Sequence, residues 1–154
     1  MKIFVRRPAV LLMFGALAAA SPVAAALPDC PNHDLATVPV TFHTAKGKFT
    51  YKLDVAATPA QQQCGLMYRK TMPRSTGMDF PMKPARSVSF WMENTVLPLD
   101  LVFVGPDNRV VSVGHGKPFS RDLIDSGGIT ARVIELNAGE AARIGLKPGN
   151  RVEP

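Results

Sequence analysis

Two cysteines, one tryptophan, two tyrosines and three histidines are all that a 154-residue chain supplies of these residue types. So few cysteines exclude a disulfide-rich miniprotein. The absence of a Cys-x-x-Cys spacing removes both a thiol-redox centre and a zinc ribbon. There is no Gly-x-Ser-x-Gly turn, no phosphate-cradling glycine loop and no dinucleotide fingerprint, so no cofactor is expected. Composition excludes collagen, coiled coil and intrinsic disorder. No repeat or low-complexity tract interrupts the chain.

The sequence also lacks an apolar run of membrane-spanning length, which takes ~20 residues. The longest, Ala9 to Ala20, has twelve. It follows Lys2, Arg6 and Arg7 and precedes the small residues Ala24, Ala25 and Ala26. A basic start, a short apolar stretch and an Ala-x-Ala site read as a secretory signal peptide over 1–26, cleaved near Ala26. The expected mature chain, 27–154, carries 15 basic against 12 acidic residues, net +3. That is too little to suggest nucleic acid as a partner. The expectation is an exported, periplasmic or extracellular protein, without a transmembrane segment and monomeric. A short tail (27–37) leads into a single domain (38–153), which is long enough to bury a real core.

Within that domain the pattern is mainly β. Residues 38–44 and 48–55 flank Ala45-Lys46-Gly47, and Phe49, Tyr51, Leu53 and Val55 alternate with polar residues, so a hairpin is expected. Thr58, Pro59 and Gln61 form a capping-box pattern for a helix running to about 67 or 68. Gly65 inside it points to close packing. Residues 71–86 read as a loop with a short apolar piece at 78–80. Strands are expected at 87–93, 99–104, 109–113, 131–136 and near 151–152, with a long loop at 114–130. A second short helix should start at Asn137, with Glu140 at its capping-box position and Gly145 at its end. Helices do not alternate with strands, which disfavours a parallel doubly wound sheet. An antiparallel sandwich or flattened barrel with two short helices fits.

Several motifs stand in a definite order: Cys64-Gly65-Leu66-Met67-Tyr68-Arg69, Gly77-Met78-Asp79-Phe80, Phe90-Trp91-Met92-Glu93-Asn94-Thr95, Pro98-Leu99-Asp100, Val133 to Gly139, and Gly145-Leu146-Lys147-Pro148-Gly149. Together, over roughly 38–153, they resemble the family called domain of unknown function 192. The resemblance implies a jelly-roll-like β-sandwich and no assigned activity. Glu93 stands where the family tends to have Lys, reversing a charge beside the candidate site, and Tyr68 replaces a common Phe.

The candidate ligand-binding residues are Arg69, Trp91, Asn94, Thr95, Asp100 and Glu135. Asn94, Thr95 and Asp100 fall between two apolar strands, where a rigid sheet holds a loop. Glu135 sits among Val133, Ile134 and Leu136, and a buried carboxylate needs a partner. Arg69 is the expected one, since a guanidinium holds a carboxylate by two hydrogen bonds. Trp91 would be an aromatic wall. The alternative is structural: Asn94 and Asp100 capping turns, and Arg69–Glu135 as an ion pair. Asp100 and Glu135 could also form the acid/base pair of an enzyme acting on an envelope saccharide or peptide. Met67, Met72, Met78, Met82 and Met92 lie within 26 residues and, with His33, His43 and His115, offer a soft copper site, or else fill the core. Arg69, Lys70, Arg74, Lys83 and Arg86 form a basic stretch, either a contact for an anionic envelope surface or a solvated face. A Cys30–Cys64 bridge, natural in an oxidising compartment, would close a loop of about 35 residues and contribute roughly 3–4 kcal/mol. The leading expectation is a non-catalytic binding module with an envelope ligand.

Overall fold

The computed structural model describes residue 30 and residues 32–154. The signal peptide expected at 1–26 and its cleavage point lie outside the described residues. Nine strands and two short helices follow in the order β1 Thr37–Thr44, β2 Gly47–Val55, α1 Pro59–Cys64, β3 Thr76–Arg86, β4 Ser89–Phe90, β5 Leu99–Val104, β6 Val110–Gly116, β7 Ile124–Asp125, β8 Thr130–Asn137, α2 Glu140–Ile144 and β9 Arg151–Glu153. No helix among the described residues is long and apolar enough to cross a membrane.

Seven strands make one sheet, ordered β6-β5-β8-β3-β2-β1-β9, and β4 pairs with β7 separately. The β1–β2 hairpin forms as its alternation demands, with Thr44 opposite Gly47. All pairs are antiparallel except β2–β3, where Lys52 to Val55 run beside Thr76 to Asp79 in the same direction. The helix between them makes that crossover possible. The two outer strands approach each other at a bridge between Arg109 and Arg151, and Val110 N–H donates to the Asn150 carbonyl at 2.9 Å. The sheet is therefore rolled, without a continuous ladder to close it as a barrel.

Rolling gives the sheet two dry faces. The inner one gathers Val40, Phe42, Tyr51, Leu53, Val102, Ile134 and Leu136, plugged by Ala141 and Ile144 of α2. The outer one gathers Met78, Phe80, Leu101, Phe103 and Val133 under Leu66 and Met92. Every residue of β5 is buried, Asp100 included.

Several boundaries differ from expectation. Residues 76–86 are a long strand, not a loop: Met78, Phe80 and Met82 alternate onto the outer face, and β8 pairing carries the chain through Pro81. Only Ser89 and Phe90 of 87–93 are strand, and part of the loop expected at 114–130 belongs to β6 and β7. Helix α1 has its Thr58–Gln61 capping box but ends at Cys64, because Gly65 turns the chain at φ 49° and ψ −131°. A Cβ there would lie 3.4 Å from the Phe80 ring, so the packing expected at Gly65 is real. Helix α2 is not capped by Asn137, which lies in β8 and donates its side-chain amide to the Met72 carbonyl at 2.9 Å.

The N-cap of α2 is Gly139, with no side chain to offer. Asp100 takes that task from β5: its Oδ2 accepts the Ala141 N–H at 2.9 Å, while Oδ1 is 2.9 Å from His115 Nδ1. Glu140, the other acid there, is held below the usual carboxylate range chiefly by its hydrogen bonds from Arg143. Its partner Tyr51 is pushed up to about 12, first by burial and then by the Glu140 hydrogen bond. Replacing Asp100 with Ala leaves the Ala141 N–H buried without an acceptor. Urea titration of Asp100→Ala should show a loss of about 2–3 kcal/mol, with the cleft described below unchanged.

Candidate functional site

Strand alternation decides where the expected site residues go. Asp100 is opposite Leu136, and Glu135 is opposite Leu101, one step along the same β5–β8 register. Neighbours one residue out of step point to opposite faces of a sheet. Asp100 thus faces inward, toward α2, and Glu135 faces outward. The two carboxyl groups are separated by the sheet and cannot act as an acid/base pair on one substrate.

Arg69 does not reach Glu135 either. Its guanidinium donates to Asp54 Oδ2 through Nη1 at 3.0 Å and Nη2 at 2.9 Å, and to the Asn32 carbonyl at 3.2 Å. Asp54 stands at the end of β2, close to the turn after α1, so it intercepts Arg69. The N-terminal segment is fastened at the same place. A disulfide joins Cys30 to Cys64, and the Asn32 amide donates to the Gln61 and Gly65 carbonyls at 2.8 and 2.9 Å. Asn94, at φ 53°, accepts the Tyr68 N–H on its own carbonyl at 2.9 Å. It braces the 91–97 loop against the turn after α1.

Trp91, Thr95 and Glu135 do come together. They line a cleft of about 280 Å³ on the outer face, with Phe80, Phe90 and Met82 completing its walls. The 91–97 loop carries Trp91 and Thr95 over the sheet, and its position is set from beneath. Met92 is fully buried against Gly116, where a Cβ would come within 2.3 Å of the sulfur. Met92 N–H donates to the Ser120 carbonyl at 2.9 Å, and the Thr95 carbonyl accepts from Phe119 N–H at 3.1 Å. Trp91 remains 48% exposed at the rim. Phe80 and Phe90 meet edge to face at 5.2 Å. Glu93, where a charge reversal was expected to matter, pairs with Arg121 and does not line the cleft.

Glu135 forms the floor. Only 5% of it is exposed, and no hydrogen bond or ion pair reaches its carboxylate among the described residues. Every fully covered side-chain oxygen there has a partner, so the Glu135 oxygens must open onto the cleft. Burial alone pushes this carboxyl up to about 8. Trp91 was expected as an aromatic wall, but Phe80 and Phe90 were not singled out in the sequence, because they have the same alternating signal as any core position.

The methionines and histidines offered as a copper set do not all converge among the described residues, and Met67, partly buried, has its sulfur 4.0 Å from the Asn94 amide nitrogen. Met72, Met78, Met82 and Met92 are buried in the outer core. His43 pairs with Glu153 on the far edge of the sheet, and His115 lies beside Asp100 on the opposite face. Of the basic stretch, Arg69 is occupied by Asp54, and Arg86 donates to the Pro84 carbonyl at 3.2 Å near the cleft mouth.

A carboxyl whose proton affinity rises on folding makes stability fall as pH rises. For Glu135 the window runs from about 4.5, its ordinary value, to about 8. Glu135→Gln should remove this slope. The variant should match the parent near pH 4 and exceed it by a few kcal/mol near pH 9, read from urea titrations at both.

Three comparisons bear on the chain. No curated protein is similar to it. A protein of unknown function from Novosphingobium aromaticivorans has a crystal structure matching 88% of this chain and 99% of its own, with 38% identity and a TM-score of 0.77. A Sinorhizobium meliloti protein, named as a candidate transcription regulator, matches 77% of this chain and 94% of its own, with 39% identity and a TM-score of 0.74. The family model of domain of unknown function 192, described as uncharacterised, matches residues 41–154. The chain belongs to the domain of unknown function 192 family.

Proposed function

We propose that this protein is a non-catalytic binding module of the cell envelope, and that the cleft above Glu135 is its ligand site. One observation carries the reading: a buried carboxyl with no partner among the described residues opens into a cleft with an exposed tryptophan at its rim. A protein keeps an uncompensated buried acid at a cost in stability. The residues paired with position 135 on the outer face, Leu101 and Met78, are apolar and offer an acid no partner. A binding role fits better than a catalytic one, because Asp100, the second carboxylate a hydrolase would use, stands on the other face of the sheet. Location in the envelope is supported by the signal-like segment 1–26 and by the Cys30–Cys64 disulfide, a bond favoured in oxidising compartments.

Two measurements test this. Titration calorimetry of the mature chain with glucosamine, N-acetylglucosamine, alanyl-alanine, choline and 2-aminoethanol should give saturable heat with at least one probe. Trp91→Ala should weaken that binding at least tenfold. Silence with all five, or equal binding by the variant, overturns the site. Separately, the full chain produced in a Gram-negative host should be recovered from the periplasm with Leu27 as its first residue. Recovery from the cytoplasm with the leader intact overturns the envelope location.

A further inference from the structure

The polar groups around the cleft are nearly all committed elsewhere. The Gln62 amide donates to the Ala56 and Pro81 carbonyls at 3.1 and 2.8 Å. Thr95 Oγ1 donates to the Glu93 carbonyl at 3.1 Å, and Ser89 Oγ is bonded to Asp125. Gln63 is exposed at the mouth. What remains inside is Glu135, a carboxyl with no hydrogen-bond partner among the described residues, between aromatic rings and thioethers. A neutral polyol would find too few partners, and an anion would be repelled by the ionised form of Glu135. A cation finds both a counter-charge and the electron-rich faces of aromatic rings.

We propose that the cleft takes the ammonium group of an organic amine, with Glu135 as its counter-ion and the rings of Trp91, Phe90 and Phe80 as its walls. The inference rests on the reading of the cleft as a ligand site and adds the chemistry of the ligand. The protein's own cations do not fill this role: Arg86 on β3 turns to the Pro84 carbonyl, and Arg69 is held by Asp54. The groups facing Glu135 from the other packed elements are uncharged. Helix α1 and its turn offer Gln62, Gln63, the disulfide-bonded Cys64 and Met67, and the 91–97 loop offers Trp91 and Thr95. The flanking strands place Leu101 of β5 and Met78 of β3 beside Glu135. Among the described residues, Arg86 and Glu135 are thus the only charged ones lining the cleft. A permanent cation binds the ionised form of Glu135, so its binding must compete with the proton held there.

Trp91, the single tryptophan of the chain, reports directly from the rim. Its emission should shift saturably with choline and not with 3,3-dimethylbutan-1-ol, the uncharged isostere, at the same concentration. Choline affinity should rise about tenfold per pH unit below about 8 and level off above it. Glu135→Gln should weaken choline at least tenfold at high pH and flatten the profile. A flat profile in the parent overturns the proposal without depending on any variant's folding. So does equal affinity for the isostere, which would leave the cleft as a ligand site of other chemistry. Binding of N-acetylglucosamine while choline, 2-aminoethanol, glucosamine and alanyl-alanine, which all carry an ammonium group, fail overturns the ammonium assignment alone. Failure of every probe overturns both readings.

Discussion

A strand buried on both faces has no neutral position: each side chain goes into one core or the other, and the next goes opposite. Strands β5 and β8 are interior strands of the rolled sheet under this constraint, and the rest of the molecule is arranged around it. Val133 and Glu135 go outward, Ile134 and Leu136 inward, and Asp100 inward beside Leu136. A polar residue on such a strand must meet a partner on its own face or remain unpaired. Asp100 meets the bare N-terminus of α2. Glu135 meets only the cleft. The same alternation therefore produces a structural acid and a candidate functional one from two residues that look alike in sequence.

The cleft exists because the outer face is covered by irregular chain rather than by a second complete sheet. Helix α1 stops after six residues, and Gly65 bends the chain over Phe80. The disulfide and the Asn32 amide fasten the N-terminal segment to that bend. On the other side Met92 plugs into the space above Gly116, and the loop it anchors presents Trp91. These two coverings are joined by the backbone contact of Asn94 with Tyr68. They leave between them a gap whose floor is β8 and whose buried carboxyl has no partner among the described residues. Rigid surroundings matter here, since a carboxyl free to move would find water and return to its ordinary proton affinity.

Local signals were legible to the extent that they depend on neighbours in sequence. The hairpin of β1 and β2, the capping box at Thr58, the buried β5 and the closing glycine of α2 all rest on short-range patterns. The eleven-residue β3 was not legible, because Pro81 and Pro84 read as loop when pairing with β8 is unknown. The cap of α2 was misassigned for the same reason. Asn137 has the right chemistry and spacing, but its strand continues through it, and the acceptor comes from Asp100, far away in sequence. Trp91, Thr95 and Glu135, grouped from the sequence, line one cleft. Arg69, Asn94 and Asp100 have roles in holding the fold around them.

What the sequence by itself determined is chemical and periodic: a mainly β chain of the domain of unknown function 192 family, the cysteines available to pair, an acid set in an apolar strand and a tryptophan in a short loop. Tertiary structure alone decided which acid was satisfied. Side-chain alternation says that two residues share a strand face, but the identity of the group opposite depends on register between segments dozens of residues apart. Arg69 could pair with any carboxylate within reach, and the β2–β3 crossover brought it Asp54. That one choice leaves Glu135 alone above the sheet, and so makes the cleft what it is.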